Sequence, residues 1–395
     1  MANKPGRHFL QIPGPSNVPD RILRAIDHPT IDHRSGAFAE LGKYCLEGLK
    51  SIFQTESPVV IFPSSATGAW EAALVNTLNP GDAVLAFETG QFASLWAKMA
   101  RNLGLQVDLI PGDWRHGVDA ALVAEKLAAD REHRIRAVMV VHNETSTGVT
   151  TDVAAIRRAM DATGHPALLL VDAVSSLASI DYRHDEWRVD VTIAGSQKGM
   201  MMPPGLGFNA LSKRAIEAGE RSTFPKSYWR WAEMMEINAR GFFPYTPSTN
   251  LLYGLREVIA MLQEEGLPQV FARHARLAEA ARRAVRAWGL EMVALDPREY
   301  SNVVTAVFVP EGFDEKALRA LILDRFNMSL GSGLGKLAGR AFRIGHLGDF
   351  NELMLAGTLA GIEMGLELAG VPHQQGGVNA AMQYLTSQAK AASRG

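Results

Sequence analysis

Among 395 residues there is a single cysteine, Cys45. One thiol permits no internal disulfide and no cysteine-based metal cluster, and it points to a reducing compartment. Net charge is nearly absent as well. The formal value of −2 at pH 7 argues against a polyanion-binding surface, and so against nucleic acid as a partner. No window stays apolar and charge-free for the length of a bilayer. Behind Met1-Ala2-Asn3-Lys4-Pro5-Gly6-Arg7-His8 there is no apolar stretch of signal-peptide length. A soluble cytoplasmic protein is expected, with no membrane partner and no metal. What remains is ordinary globular composition, 47% hydrophobic against 21% charged, on a chain long enough for two or three domains.

The pattern along the chain alternates between helix and strand. Residues 1–20 carry Pro5, Pro13, Pro15 and Pro19 and read as an extended N-terminal arm. Residues 41–53 have a helical period and 58–62 read as a strand. Residues 67–78 read as a helix closed by the Asn79-Pro80-Gly81-Asp82 turn, and 83–87 as the next strand. Further strands are expected at 137–141, 167–171 and 189–194. Such alternation favours a mostly parallel sheet covered on both faces. A helical stretch over 257–288 is broken near Gly266-Leu267-Pro268. Its later part sets an alanine-rich face against arginines, as a connecting helix with a solvated side does. Strands resume near 303–309. The expected division is an arm over 1–20, a large domain over 21–275 and a smaller α/β domain over 276–395. The last of these ends, from Gln374, in a polar, alanine-rich surface helix or frayed tail.

Two buried runs end on residues that carry chemistry. Ala167-Leu168-Leu169-Leu170-Val171 leads into Asp172, and the run from Val189 leads through Gly195-Ser196-Gln197 into Lys198. In a parallel α/β sheet, ligands collect beyond the carboxyl ends of the strands. A lysine and an aspartate at that edge are what pyridoxal 5'-phosphate requires. The amine forms a Schiff base, and the carboxylate keeps the pyridine nitrogen protonated so that the ring can accept electrons. Taken singly, each has a plainer reading: Asp172 as a metal ligand or helix cap, Lys198 as a surface lysine at a strand end.

Other segments also carry two readings. Ser64-Ser65-Ala66-Thr67-Gly68 precedes a helix, where backbone amides and the dipole suit a phosphate, or where Ser64 or Ser65 merely caps. His142-Asn143-Glu144-Thr145-Ser146-Thr147-Gly148 follows a strand, either to meet the cofactor's phenolic oxygen or to turn the chain. Phe92 is either a ring-stacking group or core. Arg343, inside the apolar run Phe342-Arg343-Ile344-Gly345-His346, needs a planar anion, either a substrate α-carboxylate or a buried acid. Gly331-Ser332-Gly333-Leu334-Gly335-Lys336 is not a nucleotide phosphate loop. The first glycine of that motif would fall on Leu330, and Leu337 follows the lysine.

Together these segments resemble the class V aminotransferases among the fold-type I pyridoxal-phosphate enzymes, and above all the serine/alanine–glyoxylate aminotransferase group. The likeness covers nearly the whole chain. It runs through Pro13-Gly14-Pro15-Ser16-Asn17, Asp32-His33-Arg34-Ser35, the Ser65 loop, and Asn143 to Gly148. It continues through Val171-Asp172-Ala173-Val174-Ser175-Ser176, Gly195 to Gly199, Tyr245-Thr246-Pro247-Ser248-Thr249-Asn250 and Arg343-Ile344-Gly345. The resemblance implies a large domain with a mostly parallel, seven-stranded type of sheet covered by helices, plus a smaller C-terminal α/β domain.

At the matching positions it implies that Lys198 holds the cofactor and later moves the substrate proton. Asp172 would pair with the pyridinium nitrogen, Val174 would pack on the ring, and Thr145 would approach the phenolic oxygen. Ser65, the Ala66 and Thr67 amides and Gln197 would take the phosphate. Tyr245, with Thr246 or Thr249, would complete that site from the other subunit, so a homodimer with shared active sites is implied. Arg343 would clamp the substrate carboxylate. Two departures stand out. The ring-stacking position, often tryptophan in relatives, is Phe92 here with Trp96 as a rival. The usual glycine-rich phosphate loop has Ala66, with its glycine at Gly68.

The reaction implied is transamination from a small L-amino acid to glyoxylate. L-Serine is favoured over L-alanine, L-aspartate or ureidoglycine, giving hydroxypyruvate and glycine. A lyase or desulfurase of the same fold would want a reactive cysteine in a mobile loop, whereas Cys45 falls in an expected helix. A non-catalytic relative would have no use for an intact Asp172 and Lys198 pair.

Overall fold

In the computed structural model, which describes residues 6–392, the continuous apolar runs become the middle of one seven-stranded sheet. Leu168–Asp172 and Val191–Gly195 are buried along their whole length, as central parallel strands are when helices cover both faces. In spatial order the strands are Val59–Phe62, Gly207–Leu211, Val191–Gly195, Leu168–Asp172, Ile135–Val141, Ala83–Phe87 and Gln106–Ile110. Only Gly207–Leu211 runs against its neighbours. The other six therefore open their carboxyl ends onto one edge. Register then sets Val141, Asp172 and Ile193 side by side, so the segments that follow them emerge together.

Two strands of this sheet were not legible as apolar runs. Gln106–Ile110 is a half-exposed edge strand. Gly207–Leu211 carries Asn209, whose buried amide donates to the Ala69 carbonyl at 3.1 Å and accepts from Trp231 Nε1 at 3.3 Å.

A second, four-stranded sheet has the order Phe9–Gln11, Met328–Ser332, Ala341–Gly345, Val304–Phe308. It carries its own apolar core, including Trp288, Ile322, Phe342, Leu359 and Ile362. The proline-rich N-terminus contributes a strand of its own. Phe9–Gln11 pairs in parallel with Met328–Ser332 as an edge strand of this sheet. Residues 1–5 of the expected arm lie outside the described residues.

The helix Leu267–Ala287 buries Ala280, Ala281 and Ala284, and Arg283 and Arg286 reach Glu279 on its outer side. Arg282 departs from the solvated reading. It is buried and donates to the Ser301 carbonyl at 2.9 Å. The terminal helix Gly377–Ala392 contributes Ala381 and Leu385 to the small core. Among the described residues, no helix is long and apolar enough to cross a membrane.

Candidate active site

The strand ends enclose a cavity of about 270 Å³. Asp172, the last residue of its strand, and Lys198, three residues beyond the end of the next, both line it. Lys198 is buried, and its Nζ donates to the Pro13 carbonyl at 2.6 Å. Burial, aided by the Arg343 charge, lowers its amine to about 8 against the pull of Asp172 and Glu144. That brings a neutral, nucleophilic amine within reach near neutral pH. The Pro13-Gly14-Pro15-Ser16 segment wraps this lysine. The Ser16 hydroxyl donates to the Lys198 carbonyl at 2.8 Å, and Gly14 lies so close that a Cβ there would sit 2.4 Å from Lys198 Cδ.

Asp172 accepts from the Val174 amide at 2.7 Å through one oxygen and from Trp70 Nε1 at 3.0 Å through the other. Burial raises its carboxyl to about 7. The Val174 amide, Trp70 and Lys198 oppose that shift, and the Glu144 charge adds to it. A cationic ring nitrogen beside it would restore the carboxylate. Val174 lines the cavity next to it, and so does Thr145, whose hydroxyl donates to Ser175 Oγ at 2.7 Å.

Ser65, Ala66, Thr67 and Gln197 form another part of the wall. Neither Ser64 nor Ser65 caps the helix Ala66–Thr77. Ser65 makes no side-chain cap bond, and the Ser64 hydroxyl donates to the Ser65 carbonyl instead. The side-chain capping reading therefore fails, and the first residues of the helix, Ala66 and Thr67, line the cavity, where a helix N-terminus would stabilise an anion. The Gln197 Oε1 position is buried without a hydrogen-bond partner among the described residues. An amide so placed calls for a bound polar group, and turning it end for end would present a donor.

Phe92 also lines the cavity. Its backbone amide and that of Ala93 donate to Glu144 at 3.1 Å, a buried carboxylate at the start of the helix Gln91–Asn102 that the dipole favours. The rival, Trp96, does not reach the cavity. It is buried and stacked on Trp70, with ring centroids 5.9 Å apart. Of the two, Phe92 is the one that lines the cavity.

Arg343 is buried and forms no ion pair among the described residues. Its Nε donates to the Ser332 carbonyl at 2.8 Å and its Nη1 to the Thr145 carbonyl at 2.9 Å. The second contact ties it to the cavity's own loop, and burial lowers it to about 10. A guanidinium held by neutral carbonyls retains its charge for another anion, so the structural salt-bridge reading finds no partner.

Tyr245, Thr246 and Thr249 lie away from their own chain's cavity. Tyr245 stacks on Tyr228 at 4.2 Å between centroids, Thr246 is exposed, and Thr249 is buried at the first turn of the helix Thr249–Glu265. Cys45 is wholly buried, donates to the Leu252 carbonyl at 3.4 Å, and has its thiol pushed up to about 12 by burial. It is not a reactive nucleophile.

One cavity group had no local sequence signal: Trp70 lines the cavity and reaches its partner Asp172 over 102 residues. Asn143 and Ser175 lie in segments already singled out, and they join each other at 2.8 Å across 32 residues inside the cavity wall. Only the glycine and prolines at 13–15 marked the lysine's cradle.

The arrangement of an amine, a carboxylate and free helix amides around one small cavity agrees with comparisons to known proteins. The family described as aminotransferase class-V matches residues 8–336. The chain is 49% identical over 389 residues to a serine–glyoxylate aminotransferase of Methylorubrum extorquens, covering 97% of each. It is 46% identical over 385 residues to an L-aspartate–glyoxylate aminotransferase of Paracoccus denitrificans, again covering 97% of each. Among solved structures, a ureidoglycine–glyoxylate aminotransferase from Bacillus subtilis superposes with a TM-score of 0.89 at 26% identity, over 98% of this chain and 100% of that one. The fold, the ordered site segments and these matches agree: the chain belongs to the class V aminotransferases.

Proposed function

We propose that this aminotransferase binds pyridoxal 5'-phosphate in the cavity described above and transfers the amino group of L-serine to glyoxylate, yielding hydroxypyruvate and glycine. The observation that carries the reading is that Lys198 and Asp172 meet across one cavity of about 270 Å³. The cofactor would supply an aldehyde to accept the amine and a ring to accept electrons. Lys198 would attach it and, once released, carry the proton between substrate carbon and cofactor. Asp172 would hold the ring nitrogen's proton. Ser65, the Ala66 and Thr67 amides and the Gln197 amide would bind the phosphate, Phe92 and Val174 would flank the ring, and Thr145 would meet the phenolic oxygen. Arg343 would orient the α-carboxylate of donor and acceptor alike, since both carry one.

The Tyr245 and Thr246 positions would serve a second copy's phosphate in a homodimer. Thr246 is exposed for such a reach, whereas Thr249 is committed to its own helix. The serine assignment is supported by the 49% identical relative, and L-aspartate is the second donor to weigh.

The experiment is a donor panel of serine, aspartate, alanine and ureidoglycine assayed with glyoxylate, together with the visible spectrum of the purified protein. Serine should give the highest kcat/KM, and Lys198→Ala should abolish both turnover and the visible absorbance. Failure to form glycine from serine would overturn the donor, and full activity in Lys198→Ala would overturn the mechanism.

A further inference from the structure

Both oxygens of Asp172 are engaged by neutral N–H donors of the protein itself. Oδ1 takes the Val174 amide at 2.7 Å and Oδ2 takes the indole of Trp70 at 3.0 Å. The first is a local consequence of the turn after the strand. The second is not, because Trp70 comes from the helix Ala66–Thr77, whose first residues line the same cavity. One helix therefore contributes both its N-terminus and an indole N–H to this cavity.

Packing alone does not require this bond. Trp96, stacked on Trp70 at 16° between planes, leaves its own Nε1 buried without a partner among the described residues. This core tolerates an unsatisfied indole at one position and aims the other at the aspartate.

We propose that Trp70 is a positioning residue for Asp172. Its indole N–H fixes the carboxylate plane and favours the anionic form, leaving a lone pair for the ring nitrogen. This rests on the reading that Asp172 meets a pyridine nitrogen. An ionised carboxylate has about four acceptor sites, so two N–H donors do not exhaust it. Donors of this kind favour the charged form, whereas the surroundings are divided. Glu144 opposes ionisation and Lys198 favours it, while neutral His142 and Tyr182 stand on the neighbouring segments.

The test separates this role from plain packing and from the wider functional reading. Full-length protein labelled with ¹⁵N-tryptophan and stripped of cofactor should show one indole N–H signal that moves with pH as Asp172 gains its proton. In Asp172→Asn that movement should vanish, and this comparison needs no tryptophan variant. Trp70→Phe, which keeps an aromatic ring but removes the N–H together with part of the indole, should remove that signal. In the loaded enzyme it should lower kcat roughly ten- to hundredfold, as for loss of a hydrogen bond to a charged group. KM for both substrates should stay within about twofold, and the loss should disappear in an Asp172→Asn background. An indole signal that ignores pH, or one that titrates equally in Asp172→Asn, overturns the proposal. So does a kinetic loss that simply adds to that of Asp172→Asn. A titrating signal in a protein without transaminase activity would leave the Trp70 link standing and reject the functional reading alone.

Discussion

Replacing Gly14 by alanine measures how closely the chain is fitted around its lysine. Gly14 has a φ of +107°, and a Cβ there would come within 2.4 Å of Lys198 Cδ, 2.5 Å of Nζ and 2.6 Å of Cε. An L-residue in the left-handed region costs roughly 1–2 kcal/mol, and crowding a packed site adds about 1–3 kcal/mol. The obstructing atoms are the end of a flexible side chain, so the lysine moves before the backbone does. Ordinary van der Waals contact begins at 3.4 Å, so the amine must shift by about 1 Å, and its 2.6 Å contact with the Pro13 carbonyl is lost. A displacement of that size at a reacting group costs on the order of a hundredfold in rate. The expected result is kcat reduced about a hundredfold with a stability loss of about 2–5 kcal/mol. Steady-state kinetics and urea unfolding on one preparation read both. A folded Gly14→Ala protein with wild-type kcat would refute the argument that this glycine exists to make room for the lysine.

Three further outcomes follow from the site. Arg343→Lys keeps the charge but loses the two-pronged contact, so kcat/KM should fall for serine and glyoxylate together while the melting temperature barely moves. A large drop in melting temperature with intact kinetics would return Arg343 to a structural role. Glu144→Gln removes the charge from the start of the helix Gln91–Asn102 and weakens the amide contacts that seat Phe92. Cofactor retention should weaken about five- to tenfold for a loss near 1 kcal/mol, and unchanged retention would show that Phe92 is held by packing alone. In cofactor-free protein, Asp172 binds its proton up to about 7, against 3.8 without burial. The folded state then holds more protons than the unfolded chain across that window, so stability should fall by a few kcal/mol as pH rises from about 4 to 7. Urea titrations should show that slope flattened in Asp172→Asn, and an equal slope in both proteins would exclude Asp172 as its source.

The two central strands were legible because parallel strands buried on both faces are written as unbroken apolar runs; Asp172 ends its strand and Lys198 follows three residues after the end of the next. The strand around Asn209 was illegible for the converse reason, since one buried amide satisfied by Ala69 and Trp231 interrupts the pattern. The edge strand Gln106–Ile110 is half exposed and reads as polar. Within the site, residues adjacent to strand ends could be found by position, as with Thr145, Gln197 and Lys198. Trp70 could not, because an indole four residues into a helix looks like core until Asp172, 102 residues away, is brought to it. Trp96 was the converse case, a plausible ring partner in the chain that the fold spends on stacking. The doubled role of the N-terminus was hidden as well, since prolines announce extended backbone and say nothing of what it pairs with.

That N-terminal strand sets the order in which the protein can be finished on the ribosome. Phe9 pairs with Met328, and the turn immediately after it supplies the carbonyl on which Lys198 rests. The segment that seats the Lys198 amine is thus synthesised long before its strand partner. At about 5–20 residues per second, the early strand waits roughly 15–60 s before its partner exists. A contact of such long sequence separation carries a large loop-closure cost and is slow to form. The large sheet can assemble around a lysine that is still unseated, and closing the small sheet then converts a folded chain into a competent one. Activity in a translation time course should therefore lag behind compaction, and a chain released before residue 328 should be folded in part and catalytically silent.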